Sequence, residues 1–386
     1  MTPGAAPRAL IAGGSIAGLF TAALLHRQGW EVDVLERSPR SLESQGAGLV
    51  QQADLVRALR ALGVANIGQL GVTAFERVIL DRNGNFLDRD RTHQTQHAWD
   101  SLYRVLRQQL PEARYHLGAS VTAVDQDDAS VSVTLADGRQ FSGDLLIAAD
   151  GTLSTVRHLL APASLPTYAG YVAWRGVIPE NELTALAATD LAGRFAFFRY
   201  PGSHILGYLI PGPKGETEAG NRRYNWVWYR PAPAGNAIES LLTDRDGRRH
   251  DISMPAQGLN PAAKKEMQSA AVEHLPPSFL DAVLATDAPF VQAIQDLEAP
   301  RMAYGRVALV GDAASVVRPH TAMGIDKAAG DAFFLAQALD DAGNTGDRVA
   351  SALAAWEPER LTRARAIGAH GRRLGAALEP GPTAGF

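Results

Sequence analysis

Arg306-Val-Ala-Leu-Val-Gly-Asp-Ala-Ala314 is an apolar run ending in Gly311-Asp312, and far upstream stands Ala9-Leu-Ile-Ala-Gly-Gly-Ser-Ile-Ala-Gly18. The early stretch reads as a strand, a tight turn and a helix start, the form of a nucleotide fingerprint. A second apolar run closing on Gly-Asp so late in the chain implies one long cofactor held at both ends. A nicotinamide dinucleotide in an ordinary Rossmann domain has no need of that second clamp. FAD does, with an adenosine end and a ribityl–isoalloxazine end.

Gly13 and Gly18 hold the first and third positions of G-x-G-x-x-G, Ser15 replaces the second, and Gly14, Ile16 and Ala17 complete the turn. The first glycine permits the tight turn and the third lets strand and helix pack closely. The helix start then offers free N–H groups and a partial positive charge to a pyrophosphate. Glu36 ends the next strand 18 residues after Gly18, where an acid accepts from ribose hydroxyls, and Arg37 follows it. Asp144-Leu-Leu-Ile-Ala-Ala-Asp-Gly-Thr-Leu-Ser-Thr-Val-Arg157 carries an Asp150-Gly151 turn after a buried-strand pattern. Alone, it is an ordinary strand end. Asp312 would accept from ribityl hydroxyls, and the Pro319–Gly324 turn, through Ala322, Met323 and Gly324, would aim N–H groups at a flavin carbonyl.

The 386 residues exceed one typical core, and 46% hydrophobic with 20% charged content is ordinary for a globular protein. A net charge of -4 argues against nucleic acid or an anionic membrane as partner. Cysteine is absent, which excludes disulfides, thiolate nucleophiles, Cys-based zinc sites and thioether attachment of a flavin. FAD is therefore expected to be non-covalent. No histidine–carboxylate set has metal-ligand spacing, so no metal is expected. Gly-x-Ser-x-Gly does not occur, against an α/β-hydrolase. With no leader and no apolar run of about 20 residues, a cytoplasmic protein is expected.

Apolar spacing predicts helices over 15–28, 53–62, 101–110, 261–284, 322–339 and 349–374. Strands are expected at 8–12, 31–35, 144–149 and 307–310, with a hairpin over 75–90 turned by Asn83-Gly84 and a meander from 121 to 141. Short aromatic and β-branched runs at 171–177, 194–200, 204–210 and 224–229 form the sheet of a second domain. The last eight residues, rich in Pro and Gly, read as frayed. The fold class expected is α/β: a Rossmann-like FAD-binding domain of the glutathione-reductase type, interrupted by an α+β substrate domain with a mixed sheet, plus C-terminal helices. Residues 1–72, 100–165 and 287–386 are assigned to the first domain, and 73–99 and 166–286 to the second.

Taken together, the three motifs resemble the group A flavoprotein aromatic hydroxylases, the family with the p-hydroxybenzoate hydroxylase fold, over nearly the whole chain. The resemblance implies that Asp150-Gly151 with Arg157 serves both FAD and NAD(P)H, and that Gly311-Asp312 holds the ribityl chain. It also implies an FAD-contacting arginine near the 101–110 helix, Arg104 or Arg107. Ser15 and Ala322 depart from the family pattern, each standing where many members carry glycine. Tyr168-Ala-Gly-Tyr-Val-Ala-Trp-Arg-Gly176, Asn225-Trp-Val-Trp-Tyr-Arg-Pro231, Phe290-Val-Gln-Ala-Ile-Gln-Asp-Leu-Glu-Ala-Pro-Arg301 and Arg318-Pro-His-Thr-Ala-Met-Gly324 are similar to the hydroxypyridine-hydroxylating branch. That branch includes the 2,6-dihydroxypyridine 3-hydroxylases and 6-hydroxynicotinate 3-monooxygenases.

The implied chemistry is hydroxylation of an electron-rich hydroxypyridine or phenol with O2 and NAD(P)H, NADH favoured, through a flavin C4a-hydroperoxide. Two rivals share the cofactor motifs: a flavin oxidoreductase without oxygen insertion, and a non-catalytic FAD-binding protein. His204 and Tyr208, four apart on one strand, share a face. An isolated pair would be ordinary interior packing, but a similar His-x-x-x-Tyr lies at the substrate pocket of the branch. Both are candidate catalytic residues, with His320 beside the flavin as a third. An imidazole near neutrality would take the substrate's proton. Trp174, Trp226 and Trp228 read as sheet core, and Arg175 as the answer to a buried carboxylate. The Thr243–His250 stretch reads as a solvated loop. The last helix, with Arg360, Arg363, Arg365, Arg372 and Arg373, reads as a cationic outer face or the rim of a homodimer.

Overall fold

The computed structural model describes residues 6–43, 47–343 and 345–378, so the frayed tail expected after 378 lies outside the described residues. Six strands form one sheet in the order Ala303–Tyr304, Val307–Leu309, Leu145–Ala148, Arg8–Ala12, Glu31–Glu36, Tyr115–Leu117. All neighbours are parallel except the edge pair Ala303–Tyr304 and Val307–Leu309. Its central strands are apolar on both faces because the sheet is covered by helices and by the antiparallel meander Val121–Gln126, Val131–Leu135 and Gln140–Gly143: Leu10, Ile11, Leu146, Ile147, Ala308 and Leu309 are fully buried. Helix Ile16–Arg27 packs on helix Gly324–Asp341, which in turn packs on the long helix Val349–Gly375.

The second large sheet has nine strands and is mixed: Arg194–Tyr200 runs parallel to Glu76–Leu80, while its other neighbours pair antiparallel. Phe290–Glu298 belongs here, paired with Thr167–Pro179, although the sequence assigned 287–386 to the nucleotide domain. Its pairing partner lies more than a hundred residues upstream, which local patterning cannot reveal. A third sheet, Gly48–Val50 with Gln94–Ala98 and Gly71–Ala74, also crosses the expected boundary at residue 72. The single helix expected over 261–284 is two, Pro261–His274 and Pro277–Leu284. Pro276 and Pro277 supply no N–H, and a residue before proline is driven out of helical conformation, so the first helix stops. Ala322, expected inside the next helix, instead caps the Pro319–Thr321 turn at φ 53°.

Alternation along the nine-stranded sheet gives it two chemically different faces. Trp174, Trp226 and Trp228 point to one side and join the apolar core with Met267, Phe279 and Val283 of the two helices. Their neighbours Tyr171, Arg175, Tyr229, His204 and Tyr208 point to the other. That second face meets the cofactor domain.

Candidate active site

The fingerprint glycines are fixed by contacts that leave no room for a side chain. A Cβ on Gly13, which has φ 103°, would lie 2.4 Å from the Ala149 carbonyl oxygen, and one on Gly18 would lie 1.9 Å from that of Gly13. Gly14 packs against the Tyr115 ring in the same way, and the Tyr115 hydroxyl donates to the Gly14 carbonyl at 2.9 Å. Ser15 begins helix Ile16–Arg27 as its N-cap without using its side chain, so the hydroxyl and first-turn N–H groups face a cleft. That cleft, about 320 Å3, is lined by Gly13, Ser15, Glu36, Arg37, Trp99, Asp150 and Gly151 among others. It lies at the carboxyl ends of the central strands, where open α/β sheets bind ligands.

Glu36 is buried, and its two oxygens accept from the Gly14 and Ser38 N–H groups at 2.7 and 2.8 Å. It therefore ties the second strand to the fingerprint turn, and a carboxylate with two donors retains lone pairs for a ribose. Asp150 accepts from Val156 N–H at 3.2 Å, while its other oxygen is buried without a protein partner. Burial raises its carboxyl above the usual range. Arg157 is committed elsewhere: its guanidinium donates to the carbonyls of Ser164, Ala313 and Thr152. It braces the Asp-Gly loop against the Gly-Asp loop and does not line the cleft.

Gly311 has φ 59°, and a Cβ there would press on Ala17 at 2.7 Å, so the late motif docks directly on the first helix. Its N–H donates to Asp331, and Lys327 donates both to the Gly311 carbonyl at 2.8 Å and to Asp331. Arg360 completes this fully buried network on Asp331 at 3.0 Å, and so is not part of a cationic outer face. Asp312 itself is exposed, although the protein around it pushes its carboxyl up and Lys327 pulls it down. The next turn is held by Gln52, whose amide donates to the Ala322 carbonyl at 2.8 Å. A Cβ at Gly324 would meet open space, so the helix start beyond Met323 is unobstructed.

Neither arginine proposed for FAD lines the cleft. Arg107 lies over the Tyr115 ring and pairs with Glu112, and Arg104 reaches Ser101. Trp99, from the first turn of the same helix, takes the cleft position and stacks on Tyr103 at 5.2 Å. The sequence placed the helix but could not orient its faces.

At the other end, His204 and His320 come together from different domains with ring centroids 5.3 Å apart. Tyr229 lies 4.6 Å from His204 and 4.4 Å from His320, and the Tyr171 hydroxyl is 2.7 Å from His320 Nε2. Tyr208 shares the face but sits farther along it, packed on Phe195 at 4.6 Å and closing on Gly48, where a Cβ would meet its ring at 2.4 Å. Burial, with Arg199 nearby, lowers His204 to about 4. Burial, His204 and Arg318 lower His320 to about 3. The imidazole near neutrality expected from sequence is thus absent. Tyr229 is pushed up to about 12 by burial, against the pull of Arg175, and Tyr208 is raised further. Arg175 faces these phenols with its Nε buried and unpaired, and no carboxylate pairs with it among the described residues. Tyr171, Tyr229 and Trp99 were missed by the sequence reading.

Among the described residues no histidine, aspartate and glutamate grouping could hold a metal, and no helix is long and apolar enough to cross a membrane.

A family model described as FAD binding domain-like matches residues 168–296, and one for flavin containing amine oxidoreductases matches 49–172. The chain is 33% identical over 379 residues to a 2,6-dihydroxypyridine 3-monooxygenase of Paenarthrobacter nicotinovorans, covering 97% of this chain and 92% of that one. It is 26% identical to a 6-hydroxynicotinate 3-monooxygenase of Bordetella bronchiseptica, over 94% of this chain and 89% of the relative. Among solved structures, 2,6-dihydroxypyridine-3-hydroxylase from Arthrobacter nicotinovorans superposes with a TM-score of 0.90 at 32% identity, covering 98% and 95% of the two chains. Motifs, fold and near full-length identity agree, and the chain belongs to the FAD-dependent aromatic hydroxylases, flavoprotein monooxygenases with FAD as cofactor.

Proposed function

We propose that this enzyme hydroxylates an electron-rich hydroxypyridine, or a phenol of similar shape, using O2 and NAD(P)H with NADH as the favoured donor. One observation carries the reading. Two neutral imidazoles, His204 and His320, two phenols, Tyr171 and Tyr229, and an unpaired Arg175 converge on the sheet face beside the Pro319–Gly324 turn. When bound, FAD supplies hydride acceptance from NAD(P)H and activation of O2. Gly13 to Gly18, Glu36 and Asp150 would hold its adenosine and pyrophosphate half, Asp312 its ribityl chain, and the N–H groups after Ala322 its ring carbonyls.

The protein's own share is positioning and proton handling. His204, neutral above its lowered pKa of about 4, is free to take the substrate's hydroxyl proton on a ring nitrogen. Arg175 would stabilise the resulting ring oxyanion, which makes the ring a better nucleophile. Tyr229 keeps its proton and so orients groups by hydrogen bonding, as donor or acceptor, without serving as a base. Closure of the two domains over this face keeps water from the reacting centre. A cytoplasmic enzyme, homodimeric through the exposed rim of the last helix, completes the reading.

Incubation with NADH, 18O2 and a panel of hydroxypyridines and phenols tests it. One compound should accelerate NADH oxidation and gain a single 18O atom. NADH oxidation with no oxygen gained by any aromatic compound would make the enzyme a flavin oxidoreductase instead.

A further inference from the structure

Tyr171 is fully buried, stacks on His320 at 5.7 Å, and places its hydroxyl 2.7 Å from Nε2. Beside it lies Arg318, its guanidinium 5.6 Å from the Tyr171 ring centre. Asp296 holds that guanidinium through Nε at 3.0 Å and Nη2 at 2.6 Å. A guanidinium has only donors, so the Tyr171 hydrogen cannot go to Arg318. Burial raises the Tyr171 phenol, so the hydrogen stays on its oxygen.

Two arrangements of the Tyr171–His320 contact can then be counted. If Tyr171 donates to Nε2, the neutral imidazole carries its hydrogen on Nδ1, and that one buried N–H lacks a protein partner among the described residues. If Nε2 instead carries the hydrogen, the Tyr171 hydroxyl loses its acceptor and Nδ1 is still unpaired. The second arrangement leaves two buried groups unsatisfied in place of one, at about 1–3 kcal/mol each. The charged imidazolium is disfavoured as well, since His204 and Arg318 both face the ring and Asp296 is already engaged by Arg318.

We propose that Tyr171, backed by the Asp296–Arg318 pair, locks His320 as its Nδ1–H tautomer, making it a fixed hydrogen-bond donor to an oxygen of the aromatic substrate. Tyr171 is then a positioning residue, His320 a donor and not a base, and His204 the imidazole left to accept a proton. The substrate half rests on the function proposed above; the tautomer lock does not.

The test is a long-range 1H–15N correlation spectrum of oxidised, FAD-loaded enzyme labelled with 15N-histidine, with His320→Gln assigning the signals. At pH 7 the wild type should show His320 protonated on Nδ1 and bare on Nε2. Tyr171→Phe should move the hydrogen to Nε2, keep FAD content, and raise KM for a hydroxylated substrate about tenfold. Adding 2,6-dihydroxypyridine without NADH should shift the Nδ1–H proton resonance downfield. A wild-type Nε2–H tautomer, or a doubly protonated ring, would overturn the lock whether or not the enzyme hydroxylates anything. A confirmed lock whose Nδ1–H ignores bound dihydroxypyridine would overturn the donor role alone.

Discussion

The two faces of the nine-stranded sheet are built from the same strands, one residue out of step, and they bury different kinds of side chain. On the tryptophan face every indole is answered or enclosed: Trp226 donates to Thr286 at 2.8 Å and Trp228 to Ser203 at 3.0 Å. Helices Pro261–His274 and Pro277–Leu284 seal it. On the opposite face Arg175 Nε and His320 Nδ1 are buried without protein partners, and both imidazoles are held far below their ordinary pKa. Unsatisfied groups cost stability, and a cluster of them that includes titratable side chains is a candidate ligand site. The tryptophan face, which keeps an unpaired Tyr224 hydroxyl of its own, is sealed under helices; on the opposite face the unpaired groups lie beside the Pro319–Thr321 turn, where the proposed substrate would meet them.

The contrast breaks if the tryptophan face proves dispensable. Trp228→Ala should lose about 3–5 kcal/mol of stability and much of the FAD retained on purification. Equilibrium denaturation of the variant reads this directly, and a wild-type midpoint would refute it.

Acid should act through the other face. His204 and His320 are neutral in folded and unfolded chains above pH 6.5, so they contribute no pH dependence there. Between pH 6.5 and their folded values of about 4 and 3 the unfolded chain binds protons first, and stability is lost as pH falls. Partial exposure of both rings limits the loss to on the order of 2–3 kcal/mol. A His204→Asn/His320→Asn protein should show a flatter melting temperature between pH 6.5 and 4. An unchanged profile would mean the two rings titrate normally.

At the cofactor's far clamp, Asp312→Ala should weaken FAD by ~1.5–3 kcal/mol, read by titrating apoprotein with FAD. The smallest effect belongs to Ala322, whose left-handed backbone costs about 1–2 kcal/mol in a non-glycine residue. Ala322→Gly relieves that but gives the unfolded chain more freedom, so the net gain should be under about 1 kcal/mol in a thermal melt. Destabilisation instead would show the Ala322 methyl packing usefully near the site.

The nucleotide half was legible because its signals are local. Gly13, Gly18, Glu36 and Gly311-Asp312 each declare a backbone need within a few residues, and strands and helices fell close to where apolar spacing placed them. The substrate face was legible only in part. His204 and Tyr208 lie on one strand, so their shared face follows from a period of two. Tyr229 joins His204 only through the pairing of Ser203–Ile210 with Arg223–Pro231, and Tyr171 and His320 only through docking of the two domains. Phe290–Glu298 likewise joins the second sheet only through a distant pairing, with Thr167–Pro179. The lowered histidine pKa values arise from burial, which no spacing encodes.

Product formed per NADH oxidised, with hydrogen peroxide counted, tests most directly whether the His–Tyr face carries the hydroxylation. It should be measured on wild type, His204→Ala and Tyr208→Phe with the aromatic compound that gains oxygen. Wild type should convert most NADH to product. His204→Ala should keep its FAD and stability, lose roughly 100-fold or more in hydroxylation, and divert NADH to peroxide. Tyr208→Phe should be impaired in the same direction. Wild-type rate and coupling in both variants would contradict the assignment and put the substrate elsewhere.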